Sequence, residues 1–120
     1  TYMYLRRDGD LWRLMVRYSP AGVYQQTFIT INESPVDRWL TIGMSFSTSR
    51  NQWLTVIDGV LEHESNHGIH GWTLHPLVYA TVGANYDGTT FPFLGEIGPV
   101  ATWRTAFDLE QLQYLTQKIT

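Results

Sequence analysis

Short runs of alternating apolar and polar residues dominate this chain and predict β-strands. Leu40, Ile42 and Phe46 alternate with polar or small residues, as in a strand with one buried face. The same reasoning predicts strands at residues 2–7, 11–18, 23–31, 38–47, 53–57 and 77–83. With further strands near the C-terminus, about eight or nine follow one another at regular spacing. We expect an all-β fold, an antiparallel two-sheet sandwich.

Turn residues separate these runs. The Asp8-Gly9-Asp10 segment predicts a hairpin between the first two strands, and Asp58-Gly59 ends the strand at 53–57. Proline and glycine also interrupt the pattern at residues 19–22 and 32–35. After Val60, a polar and histidine-rich stretch to Gly71 is interpreted as a loop, and residues 84–90 as another.

The last third of the chain predicts a strand, a bend at glycine, a second strand and one short C-terminal helix at residues 108–117. Asp108 suits the N-cap, because its carboxylate can accept from free amides of the first turn. Gln111 lies three residues on, where its side chain can reach back to the cap amide. Leu109, Leu112 and Leu115 fall on one helical face.

The alternation also predicts which side chains fill the core between the sheets. We expect six apolar residues there: Leu40, Ile42, Phe46, Leu54, Val56 and Val82. An unpaired charge in place of Ile42 is expected to unfold the domain.

Composition narrows the function classes. The 120 residues carry a formal net charge of -3, which argues against a nucleic-acid partner because such proteins present a basic face. There is no cysteine, so disulfides and thiolate metal sites are excluded. The sequence contains no apolar run long enough to span a membrane.

Several segments resemble the concanavalin A-like lectin and glucanase superfamily, in particular its laminin-G-like and pentraxin-like domains. Residues 39–46 with 53–59 are similar to a "W-x-x-V-A-x-x … L-Y-V-D-G" hairpin, and 79–83 to an "L-x-I-G" strand. In the last third, the matching residues are Phe93, Gly95, Ile97, Val100, Trp103, Leu109 and Leu112.

The resemblance covers roughly residues 38–115 and implies a jelly-roll sandwich. It also implies core positions for Trp39 and Trp103. Relatives usually begin with strands that are not found upstream of Tyr2. We therefore expect residues 1–120 to be a single domain. Either its first strands are missing from this sequence, or another chain supplies them, or the domain is a trimmed variant; the first two alternatives imply a larger polypeptide or assembly.

His63-Glu-Ser-Asn-His67 matches the H-E-x-x-H zinc protease motif. That chemistry needs a helix, which presents both histidines to one ion. Nearby glycines and the lack of helical periodicity argue against one, so we expect no protease site. Zinc bound without catalysis by His63, His67, His70 and His75 is an alternative to a solvated loop.

A second candidate site lies in the late loops. Asn85, Asp87 and Glu96 offer oxygen ligands of the kind that calcium takes, although Asn85-Tyr-Asp-Gly88 also reads as an ordinary turn. Trp72, Tyr86 and Phe91 flank these polar loops and could stack against a sugar ring. Packing at the core or rim is the alternative role for each ring.

Two functions follow. The first is a non-catalytic recognition module that binds a glycan or a protein through loops at one edge of the sandwich, using Trp72, Asn85, Tyr86 and Asp87. Asn85 and Asp87 are the candidate calcium ligands. The second is a structural component, such as a virion or surface decoration domain packed against neighbouring subunits. Both imply an extracellular, virion or cell-surface location. No nucleophile elbow or phosphate loop is present, so we expect no enzyme activity.

Overall fold

The structure is a computed structural model that describes residues 2–18, 25–66, 82–83 and 93–119. The chain divides into two compact units. The first consists of Thr1–Thr73 and Thr105–Thr120, and the second of Leu74–Arg104. Within the described ranges, no helix is long and apolar enough to cross a membrane.

The first sheet is an antiparallel meander of three strands: β1 (Tyr2–Asp8), β2 (Leu11–Tyr18) and β3 (Gln25–Ile31). The predicted hairpin around Gly9 joins β1 to β2, with Asp8 opposite Leu11. On β2, Leu14 and Val16 are fully buried and point to the inner face of the sheet.

The second sheet is also a three-stranded meander: β4 (Ile42–Ser47), β5 (Gln52–Ile57) and β6 (Val60–Ser65). Asp58 and Gly59 both have positive φ, 50° and 79°, and connect β5 to β6 as a two-residue turn. This is the twist that a tight hairpin needs, and it explains the Asp-Gly pair in the sequence.

The two sheets of the first unit pack face to face. Their shared core contains Leu14, Val16, Ile29, Ile31, Trp53 and Ile57, with Leu5, Trp12, Leu40, Ile42, Met44 and Phe46 packed around it. This arrangement confirms a two-sheet antiparallel sandwich. Leu40, Ile42 and Phe46 pack against this core between the sheets, as predicted. Within the described ranges each sheet follows chain order, so jelly-roll connectivity stays a prediction.

The other face of the second sheet is covered by α1 (Leu109–Leu115), so this unit has three layers. The predicted helix is confirmed with its capping box. Asp108 accepts from the Gln111 amide, and the Gln111 side chain accepts from the Asp108 amide. Leu112 is buried against Leu54 and Val56. Leu115, predicted on the same face, is 44% exposed.

This helix corrects two core predictions. Leu54 and Val56 are buried, but against the helix rather than between the sheets. The strand β5 is covered on both faces, so alternation alone could not assign its sides. Val82 is 63% exposed and is not a core residue.

Two element predictions were wrong. Residues 60–65, interpreted as the start of a loop, form β6, because pairing with β5 outweighs their polar composition. In the second unit, residues 93–104 contain no strand, although two strands were expected around the bend at Gly95. In the described part of that unit, the Phe93 amide donates to the Gly83 carbonyl at 2.6 Å.

Candidate functional site

An open cleft of about 380 Å³ lies at one end of the first sheet. The β1–β2 hairpin forms one wall and the segment that follows β3 forms the other. Its lining residues are Arg7, Asp10, Leu11, Trp12, Ile31, Asn32, Ser34 and Val36. We name this site the hairpin cleft.

A row of three residues across the first sheet forms the floor of the hairpin cleft. Arg7 lies opposite Trp12, and Trp12 lies opposite Ile31 on the next strand. Trp12 packs partly against the inter-sheet core, so a rigid body holds its ring at the cleft. A fixed indole offers a large apolar contact surface at little cost in conformational entropy.

Polar groups of mixed character surround this ring. Asp10 provides a carboxylate from the hairpin turn, and Asn32 and Ser34 provide an amide and a hydroxyl from the opposite wall. All three are exposed. The Arg7 guanidinium donates from Nε to the Gly9 carbonyl at 3.0 Å, which orients it along the hairpin. The cleft therefore combines hydrogen-bond donors and acceptors with an aromatic surface.

The wall after β3 is held in place by Arg38. Its Nε donates to the Ser34 carbonyl at 2.8 Å, and its Nη1 donates to Asp58 Oδ2 at 2.8 Å. Asp58 Oδ1 in turn accepts from the Thr41 amide at 3.0 Å. Because Asp58 belongs to the β5–β6 turn, the wall is tied to the second sheet. This geometry preorganises Ser34 for a ligand.

His63 and Glu64 of the H-E-x-x-H motif lie on β6, not on a helix. Neighbouring residues of a strand point to opposite faces of the sheet. The side chains of His63 and Glu64 therefore cannot act at the same metal ion, as the protease motif requires. The His63 ring contacts Trp53 at a centroid distance of 4.5 Å, and burial lowers the pKa of His63. Its Nε2 is buried without a hydrogen-bond partner. His63 is therefore a neutral packing residue.

The other predicted metal ligands lie outside the described residues. This applies to His67, His70, His75, Asn85 and Asp87, so the calcium and zinc hypotheses stay predictions. Across residues 2–18, 25–66, 82–83 and 93–119, no group of three or more metal-binding side chains comes together. Glu96, the third proposed oxygen donor, is exposed in the second unit.

The predicted ligand loop is likewise outside the described residues, since it consists of Trp72, Asn85, Tyr86 and Asp87. Two other aromatic assignments were wrong. Trp39 and Trp103, expected in the core, are 45% and 58% exposed. Trp39 precedes β4 in a loop, and Trp103 lies in a segment without a strand, so neither belongs to a buried sheet face.

No protein-family model, no curated protein and no solved structure matches this chain. The resemblance to concanavalin A-like domains therefore stays a prediction.

Sequence reasoning missed the hairpin cleft because its residues were assigned to strands and turns one at a time. Trp12 is the second residue after the Asp8-Gly9-Asp10 turn, and Asn32 and Ser34 are the first and third residues after the strand that ends at Ile31. In an antiparallel meander, the end of the third strand returns to the first turn. That relation could have placed the two segments together.

Proposed function

We propose that this protein is a non-catalytic recognition module that binds a glycan in the hairpin cleft. The observation that carries the proposal is the fixed Trp12 ring beside the carboxylate of Asp10, the amide of Asn32 and the hydroxyl of Ser34. An aromatic ring covers the apolar face of a pyranose, while amide and carboxylate groups bind its hydroxyls.

The position of the cleft supports this proposal. Both walls are loops at one edge of a rigid sandwich, where side chains can vary without disturbing the core. Arg38 fixes one wall, so little ordering is needed when a ligand binds. The cleft is open rather than enclosed, which suits one end or one side of a longer glycan chain.

The predicted loop at Trp72, Asn85, Tyr86 and Asp87 is a separate candidate site for the same kind of ligand. Calcium held by Asn85 and Asp87 would fix that loop and could engage ligand oxygens directly. A recognition role also implies an extracellular or surface location.

The test is a glycan array followed by calorimetric titration of the glycans that bind. Replacing Asn32 and Ser34 together with Ala should weaken binding by about tenfold or more, because two hydrogen bonds to the ligand are lost. The matched control replaces Thr48 and Asn66, an exposed hydroxyl and amide away from the cleft. It should bind as the wild type does.

Three results would contradict the proposed glycan site in the hairpin cleft. Equal affinity in the Asn32→Ala, Ser34→Ala variant would remove the hairpin cleft from the proposal. Loss of binding only in Tyr86→Ala with Asp87→Ala, or on calcium removal, would move the site to the predicted loop. Absence of binding to any glycan would overturn glycan recognition altogether.

A second candidate function, a structural component of a larger assembly, is favoured by the second unit. Between Phe93 and Trp103 the chain exposes a series of large apolar side chains: Phe93 45%, Leu94 92%, Ile97 47%, Val100 61% and Trp103 58%. Contiguous exposed apolar patches mark protein contacts, and a segment with this many exposed apolar side chains is a candidate for one. Neighbouring subunits are the partners that this function implies.

Light scattering over a range of protein concentrations tests this second function. Assembly through this segment should give a mass above that of one chain, and Leu94→Ser with Val100→Ser should return it to the monomer. Thr102→Ser is the matched control, because it changes the same segment without removing apolar surface. A wild type that stays monomeric at every concentration would contradict self-assembly.

A further inference from the structure

The outer face of the first sheet carries a cluster of arginines and aromatic rings. The register of the three strands places these side chains on the face opposite the core. They are Tyr4, Arg6, Asp8, Arg13, Met15, Arg17, Gln26, Phe28 and Thr30. We name this surface the arginine face. Leu11 lies opposite Asp8 at the edge of this face and also lines the hairpin cleft, whereas the residues named above do not line it.

The centre of the arginine face is a like-charge pair. Arg6 and Arg13 lie directly opposite each other on neighbouring strands. Like charges in that position destabilise a sheet unless other groups compensate. Both arginines share the Asp8 carboxylate: Arg6 Nε lies 2.7 Å from its Oδ1 and Arg13 Nη1 lies 3.7 Å from its Oδ2. Two guanidinium groups on one carboxylate leave positive charge here, on a chain whose net charge is -3.

The Phe28 ring holds this charge in position. The guanidinium carbons of Arg6 and Arg13 both lie 5.9 Å from the centre of the Phe28 ring. Tyr4 and Phe28 flank Met15 in one row across the sheet, and Met15 is only 1% exposed beneath them. Tyr4 and Phe28 themselves are 36% and 39% exposed. The result is a solvated surface of fixed guanidinium groups beside aromatic rings.

Arg17 extends the cationic surface along β2. Its Nε donates to Gln26 Oε1 at 2.9 Å, so a cross-strand partner holds its guanidinium on the same face. Arg6 and Arg13 therefore lie on one side of the Tyr4–Met15–Phe28 row, and Arg17 lies on the other. A ligand with separated negative charges could contact both sides while its ring lies on the aromatic row.

We propose that the arginine face binds an acidic polysaccharide, one with carboxylate or sulfate groups on its sugar rings. A guanidinium pairs with carboxylate or sulfate oxygens through two parallel hydrogen bonds. The aromatic row gives the sugar ring an apolar contact. This inference goes beyond the proposed function and does not depend on the hairpin cleft.

Nucleic acid fits this surface less well. Binding to a nucleic-acid backbone relies on several lysine or arginine contacts to phosphates, whereas on the arginine face Arg6 and Arg13 share one carboxylate. Arginine clusters also recognise acidic peptides, so an acidic peptide is the competing ligand. The aromatic row favours an acidic sugar chain, because a sugar ring can lie on an aromatic side chain.

Calorimetry or fluorescence anisotropy with defined oligosaccharides tests the proposal. The probes are a sulfated oligosaccharide, an oligomer of uronic acid and a neutral oligosaccharide of the same length. The wild type should bind the first two and not the third on this face, and high salt should weaken binding by screening the charges. Arg6→Gln and Arg17→Gln should each weaken binding by about tenfold.

Two further variants make the test specific. Arg104→Gln removes the same charge from an exposed position in the second unit, and it should stay within about twofold of the wild type. Arg6→Lys keeps the charge but loses the planar fork, so it should fall between the wild type and Arg6→Gln. Thermal unfolding of each variant checks that the sheet is intact.

Four results would overturn the proposal. They are no binding to either acidic probe, equal weakening by Arg104→Gln and Arg6→Gln, tighter binding of single-stranded nucleic acid through the same arginines, and a change of oligomeric state in Arg6→Gln. The last would show that a second copy covers this face. Variants of Asn32 and Ser34 should leave acidic binding unchanged, so failure of the hairpin cleft and failure of the arginine face can be told apart.

Discussion

At the scale of single residues, Arg38 links two parts of the first unit: the segment that follows β3 and the turn between β5 and β6. Its guanidinium joins the Ser34 carbonyl to the Asp58 carboxylate, and the side chains of Arg38 and Asp58 are only 22% and 12% exposed. An ion pair in that setting, with further hydrogen bonds on both partners, contributes more than an exposed pair.

Replacing Arg38 with Ala should lower the free energy of unfolding by about 2 kcal/mol, because the partly buried Asp58 carboxylate loses its cation. Urea denaturation measures the change. Arg6→Ala is the matched control: it breaks an exposed pair with Asp8 and should cost about 0.5 kcal/mol or less. Similar losses in the two variants would show that the Arg38 network adds nothing beyond a surface ion pair.

His63 is the residue whose protonation should couple to folding. Burial lowers the pKa of His63 below its ordinary value of 6.5, so the unfolded chain takes up the proton at a higher pH than the folded one. The unfolded state then binds more protons in this range, and stability rises with pH. The stability is fully present above the unfolded pKa near 6.5 and is lost as the pH falls towards the folded value.

Urea denaturation between about pH 7.5 and pH 5.5 measures this effect. The wild type should become less stable as the pH falls, and His63→Gln should show a flatter profile, because glutamine does not titrate. Glu62 and Glu64 lie on the same strand, but they are present in both proteins and cancel in the comparison. Identical slopes for the two proteins would contradict a buried, neutral His63.

At the scale of secondary structure elements, α1 approaches β4 at a glycine. A methyl group on Gly43 would overlap Thr116 Cγ2 and would lie 2.8 Å from Leu112 Cδ1. The strand and helix can therefore meet only because this position has no side chain. Ser45, two residues on, donates from its hydroxyl to the Phe107 carbonyl at 2.8 Å and fixes the entry to the helix.

Gly43→Ala should lower the free energy of unfolding by about 1–3 kcal/mol, since the helix must shift to make room. Adding Thr116→Ser removes the overlapping methyl while keeping a hydroxyl that can donate to the Leu112 carbonyl. It should recover part of the loss. A double-mutant cycle from thermal unfolding measures the coupling, and purely additive effects would show that the two residues do not compete for space.

The elements that the sequence predicted well are those with local signals. Asp8-Gly9-Asp10 and Asp58-Gly59 marked their hairpins, and Asp108 with Gln111 marked the helix start. Residues 60–65 could not be recognised, because their strand pairs through backbone bonds to β5 despite four polar side chains in six positions. The sides of β5 depended on a helix distant in sequence, which alternation cannot reveal.

The two candidate sites also differ in how far local sequence signals could predict them. The arginine face could have been read from the alternation of Arg13 and Arg17 on β2, once the outer side of the sheet was considered. The hairpin cleft needs the relation between two segments, and only a known strand order provides it. Residues 93–104 were predicted as strands from the residue pattern and from the resemblance, and the structure instead exposes their apolar side chains.

At the scale of the whole first unit, β5 joins two hydrophobic clusters. Its inward residues Trp53 and Ile57 belong to the core between the sheets, and Leu54 and Val56 belong to the cluster beneath the helix. All five residues from 53 to 57 are buried. Because one strand serves both layers, loosening the helix should destabilise the sheet on the far side as well.

Leu112→Ala tests this coupling, because Leu112 is 3% exposed and touches the cluster under the helix but not the core between the sheets. Its truncation should cost about 2–4 kcal/mol. Amide hydrogen exchange should show the same loss of protection at Val16 in the first sheet as at Leu54 in the second, because the layers unfold together. Leu115→Ala is the matched control, because Leu115 is an exposed residue of the same helix. It should change the free energy of unfolding and the exchange protection little. Protection lost at Leu54 but kept at Val16 would show instead that the helix and second sheet open as a separate unit.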